Sequence, residues 1–217
     1  MTPKAFIFDL DGVIVDTAKY HYLAWRKIAT QLGIDFTPEN NELLKGVSRV
    51  RSLDIILELG KINASHEDKT KWLIQKNTDY LSYLVDMDES EILPGVLPIL
   101  QFLKDKKQCI ALGSASKNAR PILEKTGLMA YFDVVVDGND VTHAKPNPEV
   151  FLMASKILNI KPEHAIVFED SVAGIQAANI GGMTSIGIGN ESTLHEAKFI
   201  FKDFTQIDKS FINELIQ

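Results

Sequence analysis

Cysteine is nearly absent from this 217-residue chain, since Cys109 is the only one. A single cysteine excludes an internal disulfide, and its place in an apolar stretch predicts a small buried hydrophobic residue. Runs of basic residues are also missing, and the formal net charge is −6. Nucleic acid and anionic membrane surfaces are therefore disfavoured as partners.

Long hydrophobic segments are missing as well. No apolar run reaches the roughly 18 residues typical of a membrane-spanning helix. The first four residues lead directly into a predicted strand, without the apolar segment of a signal peptide. We therefore expect a cytoplasmic location. The composition, 45% hydrophobic and 24% charged residues, is typical of a globular chain with one or two cores.

The stretch from Ala5 to Gly12 is the most informative part of the chain. Its apolar residues 5–8 predict a buried strand of the parallel-sheet type. Asp9 and Asp11 follow with a spacing of two, so their side chains leave the strand end on the same face. Two carboxylates placed there repel each other unless a cation or a proton separates them. The alternative is a simple turn in which these side chains bond to nearby amides.

Strands and helices alternate in the second half of the chain. Further strands are predicted at 108–112, 132–136, 165–168 and, as the last strand, 184–188. Helices are predicted between them at 117–126, 148–158 and 172–180. This alternation predicts an α/β fold with a parallel sheet and right-handed crossovers.

The region between residues 17 and 90 has no convincing strand. Apolar residues at helical spacing predict helices there, at 18–32, 52–59 and 66–87. This region therefore reads as an all-helical insertion after the first strand.

A serine follows the second strand. The Ser114 hydroxyl, with the main-chain amides of Ser116, Lys117 and Asn118, would form a cradle for an anion at the start of the next helix. Capping of that helix by Ser114 or Ser116 is the simpler alternative.

A lysine and two acids stand at other strand ends. Lys145, just before Pro146, would suit a phosphate, although a solvated loop lysine is the alternative. Glu169 and Asp170 follow the fourth strand, where paired acids either cap a helix or supply oxygen ligands to Mg²⁺.

Together these strand ends indicate phosphoryl transfer, because ligands of open parallel sheets bind outside the carboxyl ends of the strands. A carboxylate that attacks an anionic phosphate faces a repulsion of ~4 kcal/mol per charge pair at 4 Å and an effective dielectric of ~20. A divalent ion and Lys145 would offset it.

These strand-end groups resemble the four motifs of the haloacid dehalogenase (HAD) superfamily, on its phosphotransferase branch. The helical insertion resembles the cap of its first subclass. Segments 45–49 and 114–118 narrow the resemblance to the β-phosphoglucomutase family. The resemblance implies a Rossmann-like HAD core of residues 1–16 and 90–217, with an inserted helical cap domain of residues 17–89.

The resemblance also implies catalytic roles. Asp9 would be the nucleophile that becomes an aspartyl phosphate, and Asp11 the general acid and base. Ser114 and Lys145 would bind the transferring phosphoryl group. Mg²⁺ would be held by four residues: Asp9, the main-chain carbonyl of Asp11, Asp170 and, directly or through water, Glu169.

For the substrate, the resemblance implies that Arg49 grips the phosphate that is not reacting. The other residues implied to contact the sugar phosphate are Gly46, Val47, Lys76, Ser116, Lys117 and Asn118. Thr17 and His21 would couple cap closure to Asp11. A packed helix position for His21 and a solvated one for Lys76 are the alternatives.

Two positions depart from the family pattern. Arg51 stands where the family usually has an acidic residue and adds a second cation near the site, so Arg51 is the alternative to Arg49 as the phosphate clamp. Gly113 stands where alanine is common, which would loosen the strand end slightly.

The implied activity is the interconversion of β-D-glucose 1-phosphate and β-D-glucose 6-phosphate through glucose 1,6-bisphosphate, by a monomer that binds small sugar phosphates. A sugar-phosphate phosphatase with the same core is the nearest alternative. A phosphate-binding module without catalysis is the other, although binding alone does not need Asp9 and Asp11 together.

Overall fold

Six parallel strands form one sheet in the computed structural model, which describes residues 3–217. In chain order they are β1 (Ala5–Phe8), β2 (Cys109–Gly113), β3 (Val134–Val136), β4 (Ala165–Glu169), β5 (Thr184–Ile188) and β6 (Phe199–Phe201). Their order across the sheet is β3-β2-β1-β4-β5-β6, and every pair is parallel. The predicted α/β parallel-sheet fold is confirmed.

Strand β1 lies at the centre of the sheet and is fully buried. Its side chains alternate between the two faces, as the period of two requires. Phe6 and Phe8 pack in one apolar cluster, and Ala5 and Ile7 in another. Because both faces are covered, the apolar run shows no polar alternation and ends abruptly at Asp9.

Nine helices surround or extend this sheet in the described residues. They are α1 (Ala18–Gln31), α2 (Pro38–Glu42), α3 (Arg49–Leu59), α4 (His66–Tyr83), α5 (Val96–Asp105), α6 (Ala119–Lys125), α7 (Glu149–Ile157), α8 (Val172–Ile180) and α9 (Lys209–Ile216). None of the helices in residues 3–217 combines the length and apolar character needed to cross a bilayer.

Several predicted boundaries are wrong. The strand at 184–188 is not the last, because β6 extends the sheet; with only three half-buried residues it gives a weak sequence signal. Helix α3 begins at Arg49 rather than at residue 52, since the Ser48 hydroxyl caps it by accepting from the Arg51 amide at 3.2 Å. Cys109 is partly exposed rather than buried.

Helices α1 to α4 have an apolar cluster of their own. Its buried members include Trp25, Ile28 and Leu53. Tyr80, near the end of α4, instead packs in the cluster on the Phe6 face of the sheet. The separate cluster supports a helical cap, while the division at residues 17 and 89 stays a prediction.

Candidate active site

Asp9 and Asp11 follow β1 directly, and the chain turns at Gly12. Gly12 has a φ of +78°, and a Cβ built there would lie 2.3 Å from Oδ2 of Asp170. Glycine thus permits the turn and lets the Asp170 carboxylate approach the backbone beside the aspartate pair. Among the described residues, neither Asp9 nor Asp11 bonds through its side chain to a main-chain amide, so the structure gives the simple-turn alternative no support.

Lys145 lies between the carboxylates that end β1 and β4. Its Nζ donates to Oδ1 of Asp9 at 2.5 Å and to Oε1 of Glu169 at 2.6 Å. The Lys145 side chain is only 1% exposed. The alternative of a solvated loop lysine is therefore wrong.

Burial has the largest effect on the pKa values of Asp9 and Lys145. It raises the pKa of the Asp9 carboxyl well above its usual range, and the charge of Lys145 opposes that shift. Burial also lowers the pKa of Lys145, but the carboxylates of Asp9 and Glu169 outweigh it and raise the pKa above the ordinary lysine value. Lys145 therefore remains a fixed cation beside Asp9.

The Glu169 carboxylate is fully engaged within the protein. One oxygen accepts from Lys145, and the other accepts from the amide and the hydroxyl of Ser171, at 2.7 and 2.8 Å. Ser171 in turn caps α8 by accepting from the Gly174 amide at 3.1 Å. Helix capping at this strand end thus belongs to Ser171 rather than to the two acids.

The Asp170 carboxylate faces a cation from the helical region. Nζ of Lys45 lies 3.3 Å from Asp170 Oδ2. Burial and the neighbouring Glu169 charge raise the pKa of Asp170 to about 7, while Lys45 opposes the shift. An additional cation at this position would stabilise the charged carboxylate.

Asp11 is oriented by residues at the start of α1. The Thr17 hydroxyl donates to Asp11 Oδ1, and Nε2 of His21 lies 3.8 Å from Asp11 Oδ2. Burial and the nearby charges of Lys76 and Arg49 lower the pKa of His21 well below its usual value. A neutral His21 that accepts at Nδ1 carries its proton on Nε2, towards Asp11.

Lys76 is buried against that histidine. Its Nζ lies 2.8 Å from Nδ1 of His21 and stands over the rings of Trp25 and Tyr80, at 5.0 and 4.5 Å from their centroids. Burial, aided by the charge of Arg49, lowers the pKa of Lys76 to about 7. The alternative of a solvated lysine is wrong here too, since Lys76 is buried. Trp25 belongs to the apolar cluster of helices α1 to α4.

The loop of residues 114–118 uses two of its amides internally. The Ser116 amide donates to the Ser114 hydroxyl at 3.1 Å, and the Asn118 amide donates to the Ser116 hydroxyl at 3.2 Å. These two amides are therefore not free to bind an anion as predicted. The Ser114 hydroxyl accepts in this contact and keeps its own proton to donate.

One cavity of about 340 Å³ brings most of the predicted site residues together. Its walls include Asp9, Asp11, His21, Gly46, Val47, Arg49, Lys76, Ser114, Ser116, Lys117, Asn118 and Asp170. Thr17, Lys145 and Glu169 are not part of that wall. They lie behind it, where Thr17 bonds to Asp11 and Lys145 bonds to both Asp9 and Glu169.

Arg49 and Arg51 have different environments. Arg49 is half-buried and lines the cavity. Arg51 is exposed and forms a two-point pair with Glu58, at 2.6 and 3.4 Å, on the outer surface of α3. Of the two, only Arg49 faces the site.

The structure adds residues that sequence reasoning missed. Lys45 and Ser52 line the cavity, and Asn77 of α4 accepts from Nδ2 of Asn118 at 3.2 Å. Lys45 belongs to the cap segment that carries the family resemblance, although no role is predicted for it. For Ser52 and Asn77 the only signal is proximity in sequence to Arg49 and Lys76. The expected loosening at Gly113 is wrong, because a Cβ there would lie 2.7 Å from the ring of Phe151, which fills the space.

Comparison with known proteins identifies the class of this fold and site. Residues 3–182 match the family model for haloacid dehalogenase-like hydrolases. The chain therefore belongs to the haloacid dehalogenase-like hydrolase family.

Within that family, the resemblance to β-phosphoglucomutases is confirmed, and the chain is an enzyme. The β-phosphoglucomutase of Bacillus subtilis is 36% identical over 213 residues, which are 97% of this chain and 94% of that protein. A crystal structure of β-phosphoglucomutase from Clostridium difficile has a TM-score of 0.93 and 43% identity, and covers 99% of this chain and 97% of that one.

A phosphatase is also among the relatives. The phosphorylated carbohydrates phosphatase of Thermotoga maritima is 33% identical over 201 residues, which are 92% of this chain and 90% of that protein. The family therefore includes enzymes named as mutases, which transfer a phosphoryl group to a sugar, and enzymes named as phosphatases, which transfer it to water.

Proposed function

We propose that this enzyme interconverts β-D-glucose 1-phosphate and β-D-glucose 6-phosphate through a phosphorylated Asp9 and a glucose 1,6-bisphosphate intermediate. The observation that carries the proposal is the composition of the cavity wall. Asp9 and Asp11 share one cavity with cationic side chains suited to a second phosphate, among them Arg49 and Lys117. A bisphosphate needs both sets at once, whereas a small phosphate donor needs only the first.

The groups around Asp9 suit nucleophilic catalysis. In the first half-reaction Asp11 would take a proton from the free C6 hydroxyl of β-glucose 1-phosphate as that oxygen attacks the phosphoryl group on Asp9, and the bond from phosphorus to the Asp9 carboxylate would break, which forms glucose 1,6-bisphosphate. After the bisphosphate has turned over in the cavity, an oxygen of the Asp9 carboxylate would attack the phosphorus at C1. The bond from that phosphorus to the C1 oxygen would break, Asp11 would give this oxygen a proton, and glucose 6-phosphate would leave. Lys145 would offset the negative charge throughout, because it stays protonated beside Asp9.

The residues at the strand ends fit a divalent cation such as Mg²⁺. The described residues hold no group of three or more His, Cys, Asp or Glu arranged to bind a metal ion. Mg²⁺, however, is usually bound by one or two carboxylates with water and substrate phosphate oxygens. Asp9 and Asp170, with the carbonyl of Asp11, provide such oxygens, and the raised pKa values of both carboxyls are consistent with a site that needs added positive charge.

In this proposal Mg²⁺ would neutralise phosphate and carboxylate charge during transfer. Glu169 would act indirectly, because both of its oxygens are already bonded.

The proposal is tested by supplying β-glucose 1-phosphate, a trace of glucose 1,6-bisphosphate and Mg²⁺, and by measuring glucose 6-phosphate and free phosphate together. We expect many molecules of glucose 6-phosphate for each phosphate released, and loss of both products in excess EDTA. Free phosphate that appears as fast as substrate disappears, without glucose 6-phosphate, would replace the mutase with the phosphatase that the Thermotoga maritima relative suggests.

Arg49 would hold the phosphate that is not reacting. Because charge-assisted hydrogen bonds to phosphate contribute roughly 1.5–3 kcal/mol, Arg49→Ala is expected to reduce kcat/KM for β-glucose 1-phosphate by about tenfold to a hundredfold. Hydrolysis of acetyl phosphate, which has no second phosphate, should change little. Steady-state kinetics with both compounds measures the difference.

Arg51→Ala is the matched control, because Arg51 pairs with Glu58 outside the cavity. It should leave both reactions near the wild-type rates. Equal losses in the two reactions for Arg49→Ala would instead assign Arg49 a structural role.

A further inference from the structure

The loop of residues 137–140, which follows β3, packs against the loop of residues 114–118. The Gly138 amide donates to the Ser116 carbonyl at 3.2 Å, and Nδ2 of Asn139 donates to the Lys117 carbonyl at 3.0 Å. A Cβ built on Gly138 would lie only 2.3 Å from the Ala115 carbonyl oxygen, so this contact has no room for a side chain. The first loop therefore fixes the position of the second.

Two carboxylates give the 137–140 loop its shape. Asp137, which is 1% exposed, accepts the Asn139 amide through Oδ1 at 2.7 Å. Asp140 accepts the Asp137 amide through Oδ2 at 2.9 Å. Within the described residues, Oδ2 of Asp137 accepts no hydrogen bond. This buried charge therefore depends on a nearby cation.

Arg120 supplies that cation. Its Nε lies 3.2 Å from Asp137 Oδ2, and its Nη2 lies 3.0 Å from Asp140 Oδ2 and donates to the Val135 carbonyl at 2.9 Å. Arg120 stands in the first turn of α6, which begins one residue after Asn118. One guanidinium thus joins the end of the 114–118 loop to the loop that packs on it.

Ser114 is held in a different way. Its amide donates to the Val136 carbonyl at 3.1 Å, which continues the hydrogen bonding between β2 and β3. The sheet therefore positions Ser114, whereas the 137–140 loop positions Ser116 and Lys117. The two ends of the 114–118 loop thus have different main supports, and the bond from the Ser116 amide to the Ser114 hydroxyl links them.

We propose that Arg120 is a positioning residue for the phosphate that is not reacting. Through Asp137 and Asp140 it holds the 137–140 loop in place, and so keeps the side chains of Ser116, Lys117 and Asn118 directed into the cavity. Arg120 is not part of the cavity wall that the described residues form. This inference rests on the proposed function, since it assigns those side chains to the second phosphate of a sugar bisphosphate.

The test uses Arg120→Met in the full-length enzyme. Because displacement of binding groups by about 1 Å can cost up to 10²-fold, we expect KM for the sugar phosphates to rise roughly tenfold to a hundredfold, with kcat changed by less than about threefold. Hydrolysis of acetyl phosphate should keep its wild-type rate, because Asp9 and Lys145 bond to each other and to Glu169 rather than to the Arg120 group, and the pairing of β2 with β3 still holds Ser114. That rate also reports that the variant is folded.

Two further variants sharpen the result. Arg120→Lys keeps a cation near Asp137 without the planar fork, so it should give an intermediate KM. Lys104→Met is the matched control: it removes a cation that bonds Asp133 at 2.8 Å, just before β3 and away from the cavity. It should match the wild type in every assay.

An unchanged KM in Arg120→Met overturns the inference, and so does an equal loss with acetyl phosphate, which would mean a structural role only. Failure of the wild type to form glucose 6-phosphate would overturn the proposed function instead. The positioning role is then decided by calorimetric titration with glucose 1,6-bisphosphate. Binding at least about tenfold weaker in Arg120→Met supports it, and unchanged binding refutes it.

Discussion

Replacement of Asp9 by asparagine is expected to reduce turnover of β-glucose 1-phosphate by at least about ten-thousandfold, because the amide is a poor nucleophile for phosphorus. The fold should survive, since the asparagine oxygen can still accept from Lys145 and Glu169 continues to pair with that lysine. The coupled assay for glucose 6-phosphate measures the loss, and thermal unfolding checks that the variant is folded.

Asp16→Asn is the control for this change. Asp16 lies in the same segment after β1, but its side chain is about half exposed and pairs with Lys19 at 3.9 Å. Its turnover should match the wild type. If Asp9→Asn kept more than about one per cent of wild-type turnover, a different nucleophile would have to be sought among the cavity residues.

Asp11→Asn should give the second largest effect. General acid–base catalysis contributes about 10²- to 10⁴-fold, so mutase turnover is expected to fall by that factor. Loading of Asp9 by acetyl phosphate should persist, because acetate is a weak base and leaves without a proton. Labelling of the protein by radioactive acetyl phosphate measures the loading, and the coupled assay measures turnover.

This pattern separates proton transfer from nucleophilic attack. Loss of labelling together with turnover would mean that Asp11 holds the site together rather than moving a proton. Wild-type turnover in Asp11→Asn would contradict its role altogether. In that case the contacts of Thr17 and His21 with Asp11 would have only a structural purpose.

The sheet and its active edge could be predicted because they depend on local patterns. The apolar run from Ala5 to Phe8 must end where carboxylates begin, and the carboxyl ends of parallel strands meet at one edge. The sequence alone therefore predicts that Asp9, Ser114 and Asp170 lie close together. In the structure all three line the cavity.

The individual hydrogen bonds of these groups could not be predicted, because they join residues that are distant in sequence. Lys145 is expected at the same edge as Asp9, but its direct bond to Asp9 across 136 residues, and the bond of Asn118 to Asn77 across 41, depend on the tertiary structure. The pairing of Arg51 with Glu58, which turns Arg51 away from the site, spans two turns of one helix and depends on which face is exposed. The roles of the site residues, the cap boundaries and a monomeric state remain predictions.

The central claim is that the phosphoryl group on Asp9 goes to a sugar in preference to water. The direct measurement is to load the enzyme with acetyl phosphate that is radiolabelled in its phosphoryl group and then to remove the donor. The sample is divided between buffer with Mg²⁺ and the same buffer with β-glucose 1-phosphate added. We predict slow loss of label in buffer and rapid appearance of labelled glucose 1,6-bisphosphate with the sugar. Label released as inorganic phosphate at the same rate in both samples would contradict the account.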